Sequence, residues 1–156
     1  MAEVELVSVL EIHQADWAPF FDAIRTMLCE SAGLLNISSQ VMHDAVKARY
    51  FPNERSAIAI HRELIEFFGT AALETVNHER RSVELPFQMA QAHEFGMLSE
   101  FLVDIAHVRY LLADESLARE LAELWVGACN GVMPDDLGEK YLEGFSRYEA
   151  VLREEA

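Results

Sequence analysis

Apolar residues recur at three- and four-residue intervals through most of this chain, and Gly, Pro, Asn and Asp interrupt them at spacings that suit helix ends. No other feature constrains the fold as tightly. An apolar stripe of that period has to bury itself against another element, so the chain is expected to be a mainly all-α assembly of packed helices. Gly and Pro number only 7 and 4, which again favours helix over strand. With 156 residues and 51% apolar composition, one ordinary domain or two small ones sharing an interface can bury a core.

Val4, Leu6, Val7 and Leu10 mark a short first helix, and residues 15–31 read as a second, with Trp17, Phe20, Phe21, Ile24, Met27 and Leu28 at helical spacing. Asp16 is placed to cap it, with Pro19 in its first turn and Gly33 after its end. The run Leu34, Leu35, Asn36, Ile37 is the one strand candidate, with no evident partner strand. Ser38 or Ser39 then caps a helix to about Phe51, Pro52 breaks it, and Asn53 caps the next. That helix carries the stripe Ile58, His61, Leu64, Ile65 and Phe68 and closes at Gly69. The first third therefore reads helix, helix, short strand, helix, helix, which suits a small winged-helix-like domain with a reduced wing over residues 1–72.

Residues 80–156 read as helical-repeat hairpins. A helix from about Val83 to Phe95, with Pro86 in its first turn, is ended by Gly96. Leu98, Phe101, Leu102, Ile105 and Leu112 stripe the next. Asp114 caps a third, carrying Leu117, Leu121, Leu124 and Trp125 and stopping at Asn130-Gly131. Pro134 and Asp135 introduce the last, with Leu137, Tyr141, Phe145, Tyr148 and Leu152 on one face. Alternating helices alone support the repeat reading, since no fixed internal period is visible. The polar stretch TVNHERRS, residues 75–82, is the candidate linker. Phe67, Phe68, Phe87 and Phe95 are expected to pack between the two parts, and Trp17, Phe20 and Phe21 to be core. Arg80 and Arg81 beside Glu79 and Glu84 read as a solvated ion-pair cluster, and Glu63 and Glu66 as a solvated face.

Charge narrows the partners. Twelve basic residues stand against 27 acidic ones, a formal net of -15, whereas a phosphate backbone or an anionic membrane surface calls for clustered Lys and Arg. A DNA-reading role for the third helix would rest on Lys47 and Arg49 alone. No apolar run approaches the roughly 20 residues that span a bilayer, and the acidic start MAEVELVSVLEIHQADW lacks the basic opening of a signal peptide. A cytoplasmic protein is expected, with Cys29 and Cys129 as buried free thiols. Its partners are then proteins, with oligomers possible in principle, and neither nucleic acid nor membrane.

Enzymatic signatures are missing. The histidines stand at 13, 43, 61, 78, 93 and 107, with no HExxH spacing, and Asp104/His107 and Glu74/His78 are single pairs where a metal site needs three or four ligands. The sequence has no GxSxG elbow, no GxxxxGK[ST] loop and no GxGxxG fingerprint. A non-catalytic chain is expected, holding no metal and no cofactor by itself.

The informative segment is GLLNISSQVMHDAVKARYF. A histidine just inside a helix that follows a strand lies near the free N–H groups of the first turn, where anions collect. His43 stands in that place, and Asp44 beside it suits the helix dipole. The string Met42-His43-Asp44, after Gly33-Leu34-Leu35 and before Ala45-Val46, resembles the MHD motif of STAND nucleotide switches. That class includes plant resistance proteins, apoptosome-forming activators and the nephrocystin-type and telomerase-associated NACHT proteins. ERSAIAIHRELIEFF followed by RRSVELPFQMAQAHEFGMLSEFL is similar to the end of the winged helix and the first helical repeats of the nephrocystin-type branch. Arg81, Glu84, Leu85 and Pro86 carry the second part, and the likeness spans roughly Gly33 to Leu102. The resemblance implies that His43, supported by Asp44, approaches the β-phosphate of ADP held by a separate nucleotide-binding domain and stabilises the closed state. It also implies that the chain is a regulatory and scaffolding segment of a longer protein. The alternative is a stand-alone acidic helical interaction module without nucleotide linkage.

Overall fold

A computed structural model describes residues 1–129 and 135–154. Among them are nine α-helices and one two-stranded sheet, the mainly helical fold with helical hairpins that the sequence predicts. The order is α1 (Glu3–Val9), α2 (Gln14–Ile24), a 3₁₀ turn (Arg25–Met27), β1 (Leu28–Ser31), β2 (Leu34–Ile37), α3 (Gln40–Tyr50) and α4 (Glu54–Thr70). Then follow α5 (His78–Gln91), α6 (Phe95–Phe101), α7 (Ile105–Leu111), α8 (Glu115–Ala128) and α9 (Leu137–Glu154).

The second helix is shorter than its apolar spacing suggests. It begins before Asp16, with His13 at the cap position, and stops at Ile24. Met27 and Leu28 leave the helical path, and Leu28–Ser31 supplies the partner strand that the sequence did not reveal. The two strands are antiparallel, with Leu28 opposite Ile37 and Ser31 opposite Leu34. Ala32 and Gly33 form the tight connection, at φ 51° and 76°. Two consecutive positive φ values mark the turn whose twist matches a hairpin, so Gly33 serves a strand turn and not a helix stop. The start of the chain holds this hairpin down, since the Leu35 amide donates to the Met1 carbonyl at 2.8 Å.

Side-chain caps fix the later helices. Asn53 accepts from the Ser56 amide, Asn77 from the Arg80 amide, and Asp114 from the Ser116 and Leu117 amides. Asn77 therefore starts α5 inside the stretch expected to be a linker, where Val76 and Ser82 are fully buried. The polar letters of TVNHERRS are helix start, packed face and cap. Pro86 lies deep in α5, well past the first turn, so the bond its missing N–H would make to the Ser82 carbonyl is absent. Gly96 opens α6 where a helix end was expected, and the stripe from Leu98 to Leu112 is split by Leu102–Asp104 into two short helices.

One core runs through α4 to α8. Phe68 and Val76 join Leu85, Met89, Leu98, Leu102, Val108, Leu111, Leu121, Leu124 and Trp125, and Leu137 and Tyr141 of α9 pack against it. Of the stripe expected on α9, Leu137, Tyr141 and Tyr148 are half-buried, and Gly144 is buried against α7's approach, while Phe145 and Leu152 are exposed. A Cβ at Gly144 would overlap the Val103 carbonyl, so glycine sets how closely α9 lies. The stops at Asn130-Gly131 and Pro134 fall outside the described residues. Trp17 is buried as expected, whereas Phe20 is exposed and Phe21 half-buried. Of the four phenylalanines expected between the two parts, Phe68 is buried, Phe67 and Phe95 partly so, and Phe87 is exposed.

Candidate functional site

The histidine singled out in the sequence lies in α3, immediately behind the hairpin. Its own amide donates to the Ser39 carbonyl at 2.9 Å, so His43 opens the second turn and the unpaired amides of the helix start lie ahead of it. Asp44, the next residue, also falls in the second turn, just past the first. The two side chains stay together: His43 Nδ1 is 3.4 Å from Asp44 Oδ1, which also accepts from Gln40 Nε2 at 2.9 Å. Both are well exposed, at 54% and 64% of their side-chain surface. The helix that carries them has no buried residue at all, although Val41 and Tyr50 are apolar and 80% and 59% exposed. Val41 and Tyr50 stand nine residues apart, on opposite sides of the helix, so water reaches α3 from both sides.

His43 also borders a cleft of about 400 Å³ between β2, α3 and α4. Its walls are Ile37, Val46, Phe51, Ala57, Ile60 and Leu64, and its polar lining is His43, Lys47, His61 and Gln91. His61, read from sequence as part of an apolar stripe, is held from behind. Its Nδ1 is 2.6 Å from Oε1 of the buried Gln88, whose Nε2 donates to Glu84 Oε2 at 3.1 Å. A carboxylate only accepts, so Gln88 must turn its amide nitrogen to Glu84 and its oxygen to His61. His61 therefore donates through Nδ1, and Nε2 is the ring nitrogen left for another partner.

The chain of polar contacts continues below the cleft. Glu84 pairs with Arg80, and Arg80 Nε donates to Oε1 of Glu5 at 3.0 Å. Glu5 is only 2% exposed and Arg80 19%, so these are not the solvated ion pairs expected around residues 79–84. The reason is α1, which folds over the start of α5 and removes them from water. Arg81 is half-buried as well, giving one bond to the Ala71 carbonyl at 2.5 Å while its Nε finds no partner.

A second histidine pair escaped the sequence reading because its members lie on different helices. His107 Nδ1 is 2.9 Å from Ser82 Oγ, which itself donates to the His78 carbonyl. Burial holds the His107 imidazole below its ordinary value against the opposing pull of Asp104, with His78, Arg81 and Arg109 adding to the depression. Ser82 is fully buried, so this pair has no access to a substrate and is structural. Asp104 spends its carboxylate on the start of α7, accepting from the Ala106 amide, and does not share His107's task.

Among the described residues no group of three or more His, Cys, Asp or Glu is placed to hold a metal ion. Among the same residues no helix is long and apolar enough to cross a membrane. Both cysteines are free, but Cys29 is exposed on β1 and Cys129 half-buried, in contrast to the expected pair of buried thiols. Cys29 moves to the surface because its segment is an edge strand and not the inner face of a helix. No protein family, curated protein or solved structure matches the chain.

Proposed function

We propose that this chain is a non-catalytic regulatory and scaffolding segment that docks a further protein surface onto α3, and that in its nucleotide-switch form the docked surface is a nucleotide-binding domain. The observation that carries this reading is the bareness of α3, an eleven-residue helix with no buried residue and with His43, Val41 and Tyr50 all facing water. Helices gain most of their stability from packing, so a helix left this open is best accounted for by a partner that covers it. The order of motifs also supports it: the helix with Arg81, Glu84, Leu85 and Pro86 packs directly along α4, as consecutive helices of the STAND resemblance would.

In that arrangement ADP phosphate held by the docked domain meets the His43 ring, which adds a donor beside the amides that open α3. Contacts made only in the closed form bias the equilibrium toward it. In a polypeptide carrying this segment behind a nucleotide-binding domain, His43→Ala is expected to speed ADP release about tenfold, the worth of one charge-assisted hydrogen bond. Stopped-flow release of a fluorescent ADP reads this, and an unchanged off-rate overturns the nucleotide part of the proposal. The docking part is read separately by Val41→Glu, which should weaken association of the isolated nucleotide-binding domain.

The net charge of -15 favours a second reading, a stand-alone acidic module whose partner is basic. In that case association falls steeply with salt and is indifferent to ADP, two behaviours that separate it from the first.

A further inference from the structure

We propose that the cleft between β2, α3 and α4 binds a small amphipathic carboxylate, its apolar body seated in the cleft and its anionic head held by His61 and Lys47. At about 400 Å³, with six apolar side chains and four polar ones in its lining, the cleft has the size and composition of a small-molecule site.

Charge selects the head group. The chain carries 27 acidic residues against 12 basic ones, yet the ionisable residues lining this cleft are His43, Lys47 and His61, and no Asp or Glu lines it. The lining thus reverses the sign of the whole molecule through one fixed charge, the Lys47 ammonium, while Asp44 stands 3.4 Å from His43 Nδ1. A cationic or neutral ligand gains nothing from that reversal, whereas an anion placed against low-dielectric walls gains strongly.

Orientation selects the geometry. His61 spends Nδ1 on Gln88, and Gln88 spends its amide nitrogen on Glu84, so the ring is fixed and Nε2 is the nitrogen available to a ligand. Buried partners of this kind hold the ring in register before a ligand arrives, and Nε2 becomes a donor once the ring takes up a proton. When His61 is protonated, Nε2–H and the Lys47 ammonium give two donors, the number a carboxylate accepts with one lone pair on each oxygen. A bare phosphate would find too few donors and would leave the apolar walls unused. The inference does not depend on the function proposed above, because every lining residue belongs to this chain.

The test is a titration of the ¹⁵N-labelled chain with octanoate, octanol and octylammonium, the two ions below their micelle concentrations and octanol below its solubility limit. Octanoate is expected to shift the amides of Ile37, Val46, Ile60 and Leu64 and to bind about tenfold more tightly than octanol, the worth of one charge-assisted hydrogen bond. Lys47→Met and His61→Phe should each erase that preference while leaving the binding of octanol in place, and Ile60→Trp should weaken both ligands by filling the cleft. Should His61→Phe fail to fold, Lys47→Met decides alone, since Lys47 is exposed on α3 and its loss leaves the core intact. Equal binding of octanoate and octanol, tighter binding of octylammonium, shifts confined to other surfaces, or a preference that survives Lys47→Met would each overturn the proposal.

Discussion

Glu5 is the residue whose surroundings differ most from its letter. A carboxylate at 2% exposure is costly unless it is paired and fully hydrogen-bonded, and here it accepts from the Ala2 amide at 2.7 Å and from two nitrogens of Arg80. Removing one partner leaves the other charge in a half-dry site. Glu5→Ala is therefore expected to lower stability by about 3 kcal/mol in urea unfolding, the low end for a broken buried pair because Arg80 keeps Glu84. Arg119→Ala, which breaks a pair exposed at 73% and 96%, should change it by no more than ~0.5 kcal/mol. Equal losses would mean that Glu5 is wetter than this geometry. His107 makes a prediction in pH. Its imidazole is held by burial below the ordinary 6.5, so as pH falls through that value the unfolded chain takes up a proton that the folded chain refuses. Stability is whole above about 6.5 and is lost below it, until the folded-state value is reached. His107→Gln, which keeps a donor for Ser82 Oγ, should flatten the difference in urea midpoint between about pH 7.5 and about pH 5.5 relative to the parent. Parallel profiles would show that His107 titrates normally.

Two glycines in helices that look alike in sequence should behave oppositely. Gly69 in α4 has open space where a Cβ would stand, and Gly69→Ala is expected to raise stability by about 0.5–1 kcal/mol through helix propensity alone. Gly144→Ala puts a Cβ onto the Val103 carbonyl, a backbone atom that cannot swing aside, so α9 must lift and stability falls despite the same gain in propensity. Thermal unfolding of the two variants side by side checks the sign of each. At Ala32, φ 51° suits Asn better than Ala, and Ala32→Asn should stabilise the hairpin by a few tenths to about 1 kcal/mol. These positions also explain what could be read from the letters. Helix existence was legible wherever a cap and a stripe agreed, as at Asn53 with Ile58 to Phe68 and at Asp114 with Leu117 to Trp125. The first strand was not, because Met27 and Leu28 continue the spacing of α2 and only pairing with Leu34–Ile37 defines Leu28–Ser31. Pro86 and Gly96 misled because tertiary packing overrides local breakers, and Gly144 carries no apolar side chain to announce the packed face of α9. At the site, the helix carrying His43 was legible from Ser39 and Pro52 at its ends, but its exposure was not. The link from His61 to Gln88 joins residues on separate helices, and one sequence holds no sign of such a pairing.

Over the whole molecule stability is unevenly spread, and the unevenness bears on function. The contiguous core draws its buried residues from α4 to α8 and the Val76 turn, whereas Trp17 of α2 is buried apart from it and α3 contributes none. Local opening free energies follow buried apolar contact, so α3 should exchange its amide hydrogens through openings far smaller than global unfolding, while α5 and α8 should exchange only with the whole fold. Native-state hydrogen exchange in low urea is expected to give two classes, with Val46 and Ala48 in the fast class and Met89 and Leu124 in the slow one. That weakness is what a docking helix needs, because a partner which covers α3 then gains the ordering of the helix as well as its own contacts. Binding at α3 should move its amides toward the slow class and leave α8 unchanged. Should α3 in the free chain already exchange as slowly as α8, its surface would be stable without a partner, and the argument from its bareness would fail together with the docking role built on it.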